Sequence, residues 1–270
     1  MSRISEFLAE DVGDGDITSE ILIGDQEGKA HVTAGGACVL AGLEEAVEVF
    51  CHLGLDVTVL AKDGERVKAG QEVLVVRGAL KQILKGERLA LNFLMHMSGI
   101  ATVTRNVLDE CRQRNSAVHI AATRKTTPGF RVFEKKAVRL GGGDPHRARL
   151  DDGILIKDNH LSIVGSITEA VTRARSYSFA KKVEVEVEDL KGAEEAAKAG
   201  ADIIMLDNMT PEQVEHCYRA IKKIDKRIVV EVSGGVTPET AANYAMYADI
   251  ISMGWITHSA PAIQFSLHVI

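Results

Sequence analysis

The sequence predicts an α/β protein whose larger, C-terminal part is a partial or complete (β/α) barrel. Three observations predict it. From Val118 onward, six short apolar runs alternate with helical stretches. Each run ends in polar residues or glycine. Two of the helices open with a threonine-proline step, Thr210-Pro211 and Thr237-Pro238, an N-cap followed by proline at the first helical position.

The N-terminal part, residues 1–105, has a different grammar. Lys29 to Leu40 reads as a strand pair around Gly35-Gly36, and Leu43 to His52 as a helix. Val57 to Leu60, the turn Asp63-Gly64 and Val73 to Arg77 read as strand, turn, strand. Gly86 to Met97 carries Leu89, Leu91, Phe93 and Leu94 and reads as a helix continuing past Gly99 to Leu108. The run from Asp63 to Gln71 resembles the turn of a biotinyl or lipoyl carrier domain, but no exposed lysine sits in a matching second hairpin, so it reads as a structural turn.

In residues 106–270 the strands are Val118 to Thr123, Gly153 to Lys157, Lys182 to Val187, Ala201 to Asp207, Arg227 to Ser233 and Asp249 to Gly254. Helices fall at Phe130 to Leu140, Ser166 to Tyr177, Leu190 to Ala199, Pro211 to Ile224 and Pro238 to Met246. Such units imply parallel strands joined by right-handed crossovers. The competing architecture is a doubly wound open sheet. It is weakened because no GxGxxG follows the first strand. Gly141-Gly142-Gly143 reads as a helix C-cap and loop.

Composition bounds the function. The chain has 270 residues, 46% of them hydrophobic, and a net charge of -6. The acidic balance argues against general nucleic-acid binding. No apolar run approaches the roughly 20 residues that span a bilayer. Met1 to Glu10 lacks the apolar core of a signal peptide. The scattered Cys38, Cys51, Cys111 and Cys217 form no CxxC pair, so reduced, buried thiols and a cytoplasmic location are expected.

Against that acidic balance, Arg124, Lys125, His146, Arg147 and Lys157 crowd three short runs: Thr123 to Gly129, His146-Arg147, and Lys157 to His160. Cations concentrate where anions lie between them, and arginine binds carboxylates and phosphates bidentately. Barrel chemistry sits at the C-terminal strand ends. There the strands deliver Arg124-Lys125, Lys157-Asp158-Asn159-His160, Asp207-Asn208, Ser233-Gly234-Gly235 and Gly254. Glu184 and Glu186 alternate on the third strand and so point to one side. Glycines after the last two strands suit a phosphate. Glu186 and Asp207 can pair with lysines, hold a ribose diol or ligate Mg²⁺. Glu184 lies deeper and reads as structural. His160 and His258 are ambiguous, a lone histidine being more often a hydrogen-bonded structural group than a catalyst. Arg88 reads as a solvated helix residue, or as one that an oligomer carries into a neighbour's site.

These motifs together resemble quinolinate phosphoribosyltransferases along essentially the whole chain. The matching stretches are Glu10 to Thr18, Glu87 to Asn92, Ser98 to Thr102, Thr123 to Gly129 and Glu134-Lys135 to Gly143. His146-Arg147, Lys157 to His160, Glu184 to Glu186, Leu206 to Asn208, Ser233 to Gly235 and Thr257 to Pro261 follow in order. Ala122 departs from the polar residue that many members carry before the Thr-Arg-Lys run.

The resemblance implies a sandwich-like α/β N-terminal domain, residues 1–105, and an incomplete parallel (β/α) barrel, residues 106–270, whose last residues can return to the first domain. It implies a head-to-tail homodimer, or a higher oligomer, with shared active sites. Arg88 would come from the partner. Thr123, Arg124, His146 and Arg147 would bind quinolinate, with Arg124, His146 and Arg147 on its two carboxylates. Lys125 and Lys157 would face the substrates' negative charge. Glu186 and Asp207 would hold the ribose and Mg²⁺ end of phosphoribosyl pyrophosphate, directly or through water. Ser233, Gly234, Gly235, Ser252, Met253 and Gly254 would cradle its 5′-phosphate. Catalysis would fall to Lys125, Lys157, Glu186 and Asp207. The implied product is nicotinate mononucleotide, for NAD biosynthesis. A relative acting on another aromatic acid should lose a carboxylate-binding group, and a non-catalytic phosphate-binding homologue should lose Glu186, Asp207 or Lys157. All are present.

Overall fold

The computed structural model describes residues 3–270. They form two compact units: one from residues up to 105, 139–142 and 260–270, the other from 106–138 and 143–259.

The first unit opens with α1 (Arg3–Val12) and α2 (Ile17–Leu22), both unforeseen from the sequence. Then come β1 (Glu27–Ala34), β2 (Cys38–Val39), α3 (Leu43–His52), β3 (Asp56–Val59), β4 (Arg66–Val67), β5 (Glu72–Ala79) and α4 (Leu80–Arg112), which belongs to this unit up to Arg105. The expected strand pair around Gly35-Gly36 does not form. β1 is flanked on both edges, by β5 and by a strand from the chain's end, so β2 pairs with β4 instead. Ala30, Val32 and Ala34 alternate inward along β1 and are buried with Phe50 of α3 and Phe93 and Leu94 of α4. The Asp63-Gly64 turn is structural: Asp63 Oδ1 accepts the Leu43 N–H at 3.0 Å and so holds the start of α3.

The second unit continues with β6 (His119–Ala121), α5 (Arg131–Leu140), β7 (Ile154–Ile156), α6 (Asp158–Val164), α7 (Ile167–Tyr177), β8 (Val183–Val187), α8 (Leu190–Ala199) and β9 (Ile203–Asp207). It ends with α9 (Pro211–Ile224), β10 (Val229–Ser233), α10 (Pro238–Ala241), β11 (Ile250–Ser252) and α11 (Trp255–His258). The chain closes in β12 (Phe265–Val269), antiparallel to β1. α6, α11 and β12 were not expected as elements. The helix expected over Pro238 to Met246 breaks after Ala241 and resumes as a 3₁₀ turn at Ala245–Tyr247.

Six parallel strands pair in the order β6-β11-β10-β9-β8-β7. The first strand therefore meets the sixth, which a doubly wound sheet does not do. The seam lies between β6 and β7, where Ala121 of β6 makes an isolated bridge to Asp144 in the loop after α5. This is an incomplete barrel. Val183, Val185 and Val187 alternate with Glu184 and Glu186 along β8, and all five are buried. Thr210 caps α9 as the sequence suggests: its Oγ1 accepts the Gln213 N–H at 3.3 Å while Gln213 Oε1 accepts the Thr210 N–H at 2.8 Å. Cys38, Cys111 and Cys217 are buried free thiols; Cys51 is exposed, contrary to expectation, because it lies on the outer face of α3.

Candidate active site

A cavity of about 400 Å³ opens at the C-terminal ends of the parallel strands. Strand register builds its wall. Glu186 of β8 pairs with Met205 of β9, and Met205 with Glu231 of β10, so these three lie side by side. Asp207 and Ser233 stand opposite each other two residues further on, at the rim. Ser252 ends β11 beside Ala121 of β6, after which Ala122 to Lys125 complete the ring.

Of the residues expected in the site, Thr123, Arg124, Lys125, His146, Arg147, Lys157, Glu186, Asp207, Ser233, Gly234, Gly235 and Ser252 all line this cavity. Three do not. Arg88 is exposed on α4 in the other unit. Met253 is 2% exposed and its N–H donates to the Ala121 carbonyl at 3.0 Å, which removes it from ligand contact. Gly254 sits behind the Lys125 and His258 side chains. His160 Nδ1 accepts the Lys157 N–H at 3.0 Å and His258 Nδ1 lies 2.7 Å from Ser259 Oγ, so both histidines serve local structure.

The cationic side is built from loops pinned by α5. Glu134, fully buried, accepts the Thr127 N–H at 3.1 Å. Lys135, 3% exposed, donates to the Pro145 carbonyl and, at 3.2 Å, to that of Arg147. Arg131 ties both segments by donating to Thr126 Oγ1 at 2.8 Å and to the Ala148 carbonyl at 2.9 Å. Arg124 and Arg147 are thereby brought together. Burial and the neighbouring Arg124 guanidinium lower the Arg147 pKa. Nε of Arg124 is a buried donor without a hydrogen-bond partner. Two guanidiniums held close in a partly dry wall form a site that an anion relieves.

The opposite side carries carboxylates. Lys157 Nζ pairs with Glu186 Oε2. Asp207 Oδ2 accepts from Asn208 Nδ2 at 2.5 Å, and Asn208 adopts φ 54°, a left-handed conformation that asparagine tolerates. One oxygen of each carboxylate is thus used. The remaining oxygens form a hard donor set of the kind Mg²⁺ takes, together with water and phosphate oxygens.

Glu231 was not foreseen. It is fully buried and sits with Glu184 beneath His146, whose Nε2 lies 3.4 Å from Glu231 and 3.5 Å from Glu184. Burial pushes the Glu184 carboxyl up, against the pull of the His146 ring. Burial lowers the His146 pKa, but the carboxylates of Glu184 and Glu231 beside its Nε2 outweigh it and raise the pKa to about 10. The Arg147 N–H acts against that rise. It donates to His146 Nδ1 at 2.8 Å and requires that nitrogen to stay unprotonated. The geometry therefore selects the tautomer with its proton on Nε2. The sequence signal for Glu231 was its place in Val229-Val230-Glu231-Val232-Ser233, where it interrupts an apolar strand as Glu184 and Glu186 interrupt β8.

Comparison with known proteins points the same way. The model of the quinolinate phosphoribosyl transferase C-terminal domain matches residues 100–268, and that of the N-terminal domain matches residues 16–98. A protein of Archaeoglobus fulgidus bearing the name probable nicotinate-nucleotide pyrophosphorylase (carboxylating) is 47% identical over 259 residues, 95% of this chain and 98% of its own. A crystal structure of NadC from Streptococcus pyogenes superposes with a TM-score of 0.92 at 41% identity, covering 99% of this chain and 96% of that one. The nicotinate-nucleotide pyrophosphorylase of Francisella tularensis superposes with a TM-score of 0.93 at 37% identity, covering 99% and 95%. Matched over both domains, and carrying the paired arginines and the two rim carboxylates in one cavity, the chain belongs to the quinolinate phosphoribosyltransferase family.

Proposed function

We propose that the protein transfers the phosphoribosyl group of phosphoribosyl pyrophosphate to quinolinate with loss of CO₂, giving nicotinate mononucleotide and pyrophosphate for NAD biosynthesis. The observation that carries the reading is the Arg124–Arg147 pair: like charges held together at a cavity wall that also presents Glu186 and Asp207. A dicarboxylate satisfies the first feature and a ribose-bound pyrophosphate the second.

In this reading Arg124 and Arg147 bind the two quinolinate carboxylates, with Thr123 beside them. Arg88 of a second copy completes the site, which makes the working unit a homodimer. Lys125 and Lys157 offset charge on the departing pyrophosphate as its bond to ribose C1 loosens, an electrostatic role that needs no covalent intermediate. Glu186 and Asp207 would hold Mg²⁺, which would supply further positive charge at the leaving group. The pyridine nitrogen takes C1 as pyrophosphate leaves. The ring nitrogen is then cationic and stabilises the electron pair left on C2 when the carboxylate departs as CO₂; a proton then takes that pair at C2. Gly234, Gly235, Ser233 and Ser252 face the 5′-phosphate. The protein works in the cytoplasm in this reading, where the free thiols of Cys38, Cys111 and Cys217 stay reduced.

The test is incubation with quinolinate, phosphoribosyl pyrophosphate and Mg²⁺, following CO₂ and pyrophosphate. Release of both, dependent on quinolinate and abolished by excess chelator, is expected. Equal turnover of nicotinate, or full activity in chelator, would refute the reading.

A further inference from the structure

His146 lines the cavity, yet neither ring nitrogen is left for a ligand. Nδ1 accepts the Arg147 N–H at 2.8 Å, and Nε2 faces Glu184 and Glu231 at 3.5 and 3.4 Å. Its backbone is unusual as well. His146 adopts φ 53°, a conformation that costs a residue with a Cβ about 1–2 kcal/mol and persists only where its surroundings impose it. The restraints are on view: Asp144 Oδ1 accepts the His146 N–H at 2.6 Å, and Lys135 holds the carbonyls of Pro145 and Arg147.

Glu231 is the costly member of this arrangement. It is 0% exposed, and neither of its oxygens has a hydrogen-bond partner of good geometry. A buried carboxylate so placed opposes folding, and an amide or apolar side chain of similar volume would serve stability better. Nor is the group arranged to hold a cation. Its three ligand atoms lie within 4.8 Å of one another, but Nε2 carries the ring proton and has no lone pair to offer. The proton on Nε2 is what the two carboxylates face.

We propose that Glu231 is a positioning residue for recognition of the dicarboxylate: with Glu184 it orients the His146 ring, whose Nδ1 in turn holds the Arg147 amide and sets the Arg147 guanidinium at the cavity wall. The inference rests on the quinolinate reading of the cavity. It makes His146 a strut behind Arg147 rather than a ligand of the substrate.

The test is Glu231→Gln in the full chain, which keeps the shape and removes the charge. The quinolinate KM should rise about tenfold, or about 1.4 kcal/mol, while the phosphoribosyl pyrophosphate KM stays within about twofold. The melting temperature should hold or rise. In a His146→Ala background, Glu231→Gln should change the quinolinate KM less than about twofold, because no ring remains to orient. A merely structural Glu231 would raise both Michaelis constants together, or act equally with and without His146; either result, or an unchanged quinolinate KM, overturns the proposal. If Glu231→Gln does not fold, ¹⁵N NMR of the wild-type imidazole decides: a proton on Nε2 and an acceptor Nδ1 support it, and a proton on Nδ1 overturns it. Wild-type turnover of quinolinate is measured first. Its absence refutes the functional reading, whereas wild-type turnover with an inert Glu231→Gln refutes only the positioning.

Discussion

Gly234 offers the sharpest test of how the rim is built. It sits at φ +81°, and a Cβ there would lie 2.5 Å from both the backbone nitrogen and Oδ1 of Asn208. Those atoms cannot yield cheaply, because the Asn208 N–H donates to the Ser233 carbonyl at 3.1 Å and its side chain is bonded to Asp207. Gly235, at φ +62°, is a built-in control, since its Cβ would meet only Asn208 Oδ1 at 3.9 Å. Both alanine variants bear the left-handed backbone cost of about 1–2 kcal/mol. Gly234→Ala adds overpacking of about 1–3 kcal/mol. Urea unfolding should therefore show Gly234→Ala less stable than Gly235→Ala by about 1–3 kcal/mol. The shift of Asp207 and Asn208 should also lower kcat/KM for phosphoribosyl pyrophosphate about a hundredfold, the usual scale for a misplacement near 1 Å. Equal stability of the two variants would refute the reasoning, since the clash with Asn208 is the only term that separates them.

Two further predictions test the cationic side. Arg147→Ala should raise the quinolinate KM by roughly ten- to a hundredfold, from the loss of a charge-assisted contact of about 1.5–3 kcal/mol, and an unchanged KM in the folded variant would remove Arg147 from the site. Arg88→Ala and Arg124→Ala should each be nearly inactive, whereas a randomly exchanged mixture should regain about a quarter of wild-type activity, since half of its dimers carry one intact site. No recovery after demonstrated exchange would place Arg88 outside the neighbour's site.

The barrel was legible because its signals are local. Most strands are short apolar runs, α7, α8 and α9 open on the side-chain caps Ser166, Asp189 and Thr210, and the polar residues at strand ends repeat at one rim. The first unit was less legible because pairing there is not local. Whether Gly35-Gly36 makes a hairpin depends on β12, more than 200 residues away in sequence, which takes the β1 edge that β2 would need. α6 was hidden for another reason. Lys157 to His160 looked like a strand end and a cluster of ligands, but the His160 ring folds back on the Lys157 amide and starts a helix.

Buried charge was the least legible feature, and it bears most directly on function. Glu134, Lys135, Glu184 and Glu231 are each less than 6% exposed. In the sequence they look like solvated charges on a helix or polar positions on a strand. Only the assembled barrel shows that they are dry and converge on two loops: Glu134 on the loop before α5, and the other three on His146 and Arg147. Apolar packing could fix the path of those loops more cheaply. It could not hold two guanidiniums side by side, because each added cation must be balanced by an anion that leaves the guanidinium forks free. Carboxylates beneath the loop, acting through an imidazole, provide that balance from behind and leave the front of Arg147 to the cavity.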